Sequence, residues 1–149
     1  MNRFFLVFLL GVLLAGPAAF GQEQPEADPA LYAVGALGAS NLYTTYFLLG
    51  TLADGYATAA YTAEFARELA QDIIGLNESS IDVLKDMLDQ ATVAADDRVL
   101  VEDMITAHDL LIRQTWGLLA YIDDPADTAD WFNYRKQAWE LIRQLLNIE

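Results

Sequence analysis

Apolar side chains recur at alternating steps of three and four over much of the second half of this chain. Val101, Met104, His108, Leu111, Thr115, Leu118 and Ile122 form the longest such series. That spacing keeps side chains on one face of an α-helix. Ile81, Leu84, Leu88 and Ala91 form a second stripe, ringed by Asp82, Lys85, Asp86, Asp89 and Gln90. Phe132, Trp139, Ile142 and Leu146 form a third, with Ala138 and Leu145 beside it. Strand-like alternation does not persist anywhere, and Ala, Leu, Glu, Asp, Gln and Arg dominate, which favours helix.

Cap and breaker residues then set the expected ends. Asp28-Pro29 and Asp124-Pro125 each read as an N-cap followed by proline at the first helical position. Ser40 is a candidate cap for a start after Gly35 and Gly38. Gly75-Leu76-Asn77 reads as a stop, with Asn77 to Ser80 offering caps for the next start and Asp96 or Asp97 for the one after. The predicted helices run over about 41–74, 79–93, 97–122 and 125–147, with a turn or short helix over 30–39. Short links make successive helices antiparallel. The expected fold is all-α, an up-down antiparallel four-helix bundle whose first helix is long and kinks between Gly50 and Gly55.

The N-terminus has a different character. Met1-Asn2-Arg3 is followed by an apolar run from Phe4 to Ala15, then Gly16-Pro17, then Ala19-Phe20-Gly21 before Gln22. A positive start, an apolar centre and small residues at −3 and −1 describe a secretory signal peptide over 1–21. The run falls short of the roughly 20 apolar residues that a membrane span needs. Residues 22–29 are a polar linker expected to be disordered, and 30–149 are expected to form one helical domain. The expected location is therefore periplasmic or extracellular.

Ala30 to Ala53 carries no charge over 24 residues, long enough to cross a bilayer. It also holds Ser40, Asn41, Thr44, Thr45, Thr51 and three glycines, unlike the Leu-, Ile- and Val-rich composition of a span. The expectation is a helix apolar all round, buried by its neighbours, with no membrane span in the mature protein.

Composition narrows the chemistry. With no Cys, the chain has no disulfide, no thiolate zinc site and no thiol nucleophile. Eight Lys and Arg against 22 Asp and Glu, a formal charge of −14, argue against binding nucleic acid phosphates. The charge concentrates in residues 64–130, which hold 16 acids and 4 bases. Such a surface steers basic partners or aids solubility in saline surroundings. The carboxylates at steps of three and four, such as Glu64, Glu68 and Asp72, read as solvated faces.

The candidate sites are few. A ferritin-like dimetal centre needs two Glu-x-x-His motifs, and the chain has none and a single His. The loop from Asp123 to Asp130 lacks the Gly and Glu of an EF-hand, whose places hold Thr128 and Tyr134. No metal site is expected. No serine has the flanking glycines of a nucleophile elbow, and no glycine loop has the Lys-Ser/Thr of a phosphate loop. His108 lies on an apolar stripe and reads as a core histidine bonded to a Tyr, Asp or backbone group. Its alternative role is ligation of a cofactor such as haem with Met87 across the bundle; Met104, on the same face as His108, cannot reach the opposite side of a haem.

Asp54 is the single charge in residues 30–63. Either it is a buried carboxylate in a polar site with Tyr56, His108 and Arg113, or it caps a bend at Gly50–Gly55. Tyr32, Tyr43, Tyr46, Tyr56 and Tyr61 read as semi-buried packing with their hydroxyls reaching polar groups. The expected function is an exported, non-catalytic interaction or accessory protein with an acidic surface for a basic protein partner and no cofactor. The alternative is a small-ligand or cofactor-binding bundle using the interior around His108, Met87 and the first-half tyrosines.

Overall fold

The computed structural model describes residues 29–90 and 93–148. The expected leader over 1–21, the expected linker, Asp28 as a cap and Ala91 of the second stripe lie outside them. Four helices follow one another: α1 (Pro29–Ala57), α2 (Ala63–Asp89), α3 (Ala95–Asp123) and α4 (Ala129–Leu145). The described residues contain no strand.

α1 begins at Pro29, where a missing N–H costs no intrahelical bond. It continues unbroken through Ser40, Gly50 and Gly55, so Ser40 starts nothing and the expected short helix over 30–39 is its first third. It buries Leu42, Tyr46, Leu49, Leu52 and Ala53. The break comes at residues 58–62 instead. The Thr58 hydroxyl donates to the Asp54 carbonyl at 2.8 Å, and Ala59 takes φ 58°, in the left-handed region. Thr62 then caps α2, its Oγ1 accepting from Phe65 N–H at 3.2 Å. Glu64 in the first turn suits the positive end of the helix dipole.

α2 continues unbroken through Gly75, Asn77, Ser79 and Ser80, which were expected to separate two helices. Its buried series is Ala66, Ala70, Ile73, Asn77 and Leu84, with half-buried Ile81 and Leu88 completing the three-four pattern. Ser79 and Ser80 do not cap; their hydroxyls donate back to the Gly75 and Leu76 carbonyls at 2.9 and 3.0 Å. α3 starts at Ala95 with Ala94 as its N-cap residue, so Asp96 and Asp97 lie inside its first turn. α4 starts at Ala129 rather than Pro125. Asp124 ends α3 by donating its N–H to Ala120 and then folds a turn, its Oδ1 accepting from Ala126 N–H at 3.0 Å.

All seven residues of the predicted α3 stripe are buried. On α4 the stripe is shifted by one residue at its start: Trp131 is buried and Phe132 is 63% exposed.

α3 is the hub. It packs extensively on α2 and α4, which share no contact among the described residues, while α1 lies over all three. Asn77 faces His108 and Arg67 faces Asp123, so α2 runs antiparallel to α3. Gly117 faces Trp131, and Leu100 and Asp103 line one surface hollow with Leu141 and Leu145, so α4 does too. α1 runs parallel to α3: Gly38 meets Met104, and the Tyr56 hydroxyl donates to the Ile122 carbonyl at 3.2 Å.

α1, which carries no charge before Asp54, is covered on one face only. Tyr32, Leu37, Tyr43, Phe47 and Leu48 are exposed, contrary to the expectation that its neighbours would enclose it. No helix among the described residues is long and apolar enough to cross a membrane.

Candidate functional site

The seven-residue stripe of α3 places Met104 and His108 one turn apart on the face that meets α1 and α2. Asn77 reaches His108 from α2. Its Nδ2 donates to the Ile73 carbonyl at 2.7 Å, one turn back on its own helix. That fixes Oδ1 toward His108, whose Nδ1 lies 2.7 Å away. Since Oδ1 only accepts, Nδ1 carries the proton and donates. The other ring nitrogen, Nε2, then holds a free lone pair and has no hydrogen-bond partner among the described residues.

His108 is 2% exposed, and burial lowers its pKa to about 4. Desolvation penalises the charged ring, and no carboxylate faces it to offset the cost. At neutral pH the ring is an uncharged hydrogen-bond acceptor.

A cleft of about 460 Å³ opens beside this ring. α1 contributes Val34, Leu37, Gly38 and Asn41, α2 contributes Leu76, Ser79, Ser80, Val83 and Leu84, and α3 contributes Met104 and His108. Gly38 matters because the Met104 methyl fills the place a Cβ would take, which lets the thioether lie against the α1 backbone. Leu37, Leu76 and Val83 stand 72, 67 and 62% exposed on the rim. Mostly apolar walls around a few convergent polar groups are the usual make-up of a small-molecule site.

The candidate residues part company in the structure. His108 is buried as expected, with Asn77 as its partner rather than a Tyr, Asp or backbone group. Met87 is half-buried on α2 and does not line the cleft; Met104 does. The buried polar site does not assemble. Asp54 is exposed, Tyr56 bonds the Ile122 carbonyl, and Arg113 is exposed with its Nε on Asp109 Oδ2 at 2.7 Å. That carboxylate and the Tyr134 hydroxyl raise the Arg113 pKa further. Of the five tyrosines, Tyr46 is buried and Tyr56 half-buried, while Tyr32, Tyr43 and Tyr61 are exposed. Among the described residues no group of three His, Asp or Glu side chains is placed to hold a metal ion.

Two members of the site escaped the sequence pattern. Asn77 sits four residues after Ile73 and four before Ile81, on the α2 stripe, and its place there was the available signal. Gly38 carried none, because its role depends on a methionine 66 residues away. Comparison of the chain with family models, with curated proteins and with solved structures finds no match.

Proposed function

We propose that the chain is a non-catalytic binding protein whose cleft between α1, α2 and α3 takes a small apolar molecule carrying one hydrogen-bond donor. The observation behind this is the neutral His108 ring, fixed by Asn77 with its lone pair free, at an apolar cleft of about 460 Å³. A hydroxyl entering the cleft regains at Nε2 a bond it loses on leaving water. Residues 1–21, with the pattern of a secretory leader, support action outside the cytoplasm.

The test is thermal melting in a titration with a medium-chain alcohol such as decanol. A ligand that binds only the folded state raises the melting temperature with concentration. Val83→Glu, which puts a charge on the exposed rim, is expected to abolish the rise without lowering the basal melting temperature. No rise in the parent protein sinks the proposal. A haem titration separates the two roles of the imidazole: a Soret shift that His108→Phe removes would assign Nε2 to iron rather than to a hydroxyl.

A second reading rests on the outer face of α2. Glu64, Glu68, Asp72, Glu78, Asp82, Asp86 and Asp89 are all exposed there. Arg67, one of two bases on that helix, is already paired with Asp123 at 2.7 Å. This face suits a basic protein partner, drawn in by long-range attraction. Salt-dependent binding of a cationic peptide, weakened by Asp82→Lys with Asp86→Lys, is the expected result. Binding that is indifferent to both salt and charge reversal overturns it.

A further inference from the structure

A second pocket lies at the far end of the bundle. Tyr121 on its wall follows His108 by 13 residues on α3, a rise of about 20 Å. Gly50, Ala53, Asp54 and Ala57 of α1 form one side and Thr128, Trp131, Phe132 and Arg135 the other, around some 240 Å³.

Arg135 is held there in an unusual way. Its guanidinium lies 4.7 Å from the Tyr46 ring centre and 5.4 Å from that of Trp131. It also rests on bare backbone at Gly50, where a Cβ would stand 2.9 Å from Nη2. Two aromatic faces and a glycine thus fix a cation in place. Yet Arg135 makes no ion pair or hydrogen bond among the described residues, and its Nη1 is buried without an acceptor. The guanidinium lines the pocket with no anionic partner among the described residues, and a carboxylate is its best geometric match.

Asp54 stands on the same face of α1, one turn beyond Gly50, a rise of about 6 Å. It is exposed and makes no ion pair among the described residues. The helix dipoles carry the same polarity. α4 starts at the pocket with a Thr128 hydroxyl that caps nothing, and α1 ends three residues past Asp54. The positive end of α4 lies on the Arg135 side and the negative end of α1 on the Asp54 side. A simple anion would meet the Asp54 charge, and a simple cation that of Arg135.

We propose that this pocket binds a small zwitterion of the α-amino acid class. Its carboxylate sits on the Arg135 guanidinium, its ammonium on Asp54, and its apolar side chain against Trp131 and Phe132. The site is separate from the His108 cleft and does not depend on it.

The probe is L-leucine, followed by calorimetry and by Trp fluorescence. Its methyl ester lacks the carboxylate charge, and N-acetyl-leucine lacks the ammonium. Saturable leucine binding at millimolar concentration is expected, with each blocked form roughly tenfold weaker or worse, a difference of about 1.4 kcal/mol. Arg135→Gln is expected to remove binding of leucine and of N-acetyl-leucine. Asp54→Asn, at an exposed position that leaves the packing intact, is expected to weaken leucine roughly tenfold while N-acetyl-leucine binds as well or better. No saturable leucine binding overturns the proposal. Leucine binding that Asp54→Asn does not weaken overturns it as well, whether or not the Arg135 variant folds.

Discussion

His108 and Asn77, on antiparallel helices, hold each other by one 2.7 Å hydrogen bond, and each is only 2% exposed. Burial of the ring couples the stability of the fold to pH. An unfolded histidine titrates near 6.5, and the folded ring near 4. Between these values the unfolded chain binds the extra proton, so folding weakens as pH falls from 6.5 to 4 and levels off below. The full effect is about 3 kcal/mol at 1.36 kcal/mol per pH unit. Urea melts of the parent and of His108→Gln across pH 4 to 7 should diverge by that amount. Parallel curves would show that the folded ring takes its proton normally.

Replacing the amide by an acid should reverse the sign. Asn77→Asp sets a carboxylate against His108 Nδ1, and the ring then gains an opposite charge that favours its protonated form. The expected outcome is a folded His108 pKa above 6.5, read from the ring-proton chemical shift by NMR. The stabilising part of that ion pair is present below pH 6.5 and lost as pH rises through the folded value. A His108 pKa that stays low in this variant would mean the two side chains do not face each other.

Two glycines make a contrast that tests the packing of α4 on α3. A Cβ on Gly117 would lie 2.5 Å from Trp131 N and 2.8 Å from Asp130 C, both backbone atoms that no rotamer change can move aside. A Cβ on Gly75, also mid-helix, would meet nothing within 4 Å. Gly117→Ala should therefore destabilise by about 1–3 kcal/mol, the usual cost of overpacking. Gly75→Ala should stabilise by about 0.5–1 kcal/mol through lower chain entropy when unfolded. Denaturant midpoints that move alike for both would refute the close helix contact.

These relationships show where the sequence was legible. The α3 stripe was, because seven positions keep the three-four step with only His108 and Thr115 as polar members. The division of the first half was misplaced for two local reasons. Asn77 interrupts an apolar stripe beside Gly75, so a continuous helix looks like a stop and a start. The real turn uses Ala59 in a left-handed conformation, a place where glycine is the usual marker. The α4 register slipped because Trp131 and Phe132 are adjacent aromatics, and only the approach of the chain at Gly117 selects Trp131. Asp124-Pro125 misled because the aspartate side chain serves a turn rather than a helix start. Of the cleft, only His108 was legible. The cleft itself needs the register of three helices, which no single stripe contains.

The left-handed alanine is open to repair. Ala59 at φ 58° suffers the Cβ crowding that glycine escapes, a cost of about 1–2 kcal/mol. Ala59→Gly removes it and returns part of the gain as added freedom of the unfolded chain, leaving a net stabilisation of about 0.5–1 kcal/mol. A lower midpoint would place the turn elsewhere.

Gln114 is the strongest candidate for stabilisation by substitution. It is fully buried on α3 between Leu111 and Leu118, and neither Nε2 nor Oε1 finds a hydrogen-bond partner among the described residues. An amide that leaves water and gains no bond in return costs roughly 1–3 kcal/mol. Methionine has nearly the same length and shape and no such groups, so it fills the space without overpacking. Gln114→Met is expected to raise the urea midpoint by about 1–3 kcal/mol of stability, with the slope of the transition unchanged. Gln114→Glu puts a charge in the same place and should destabilise at pH 7, less so as acid neutralises it. If Gln114→Met instead lowers the midpoint, the amide must be bonded in solution and the interior of α3 is wetter than its packing indicates.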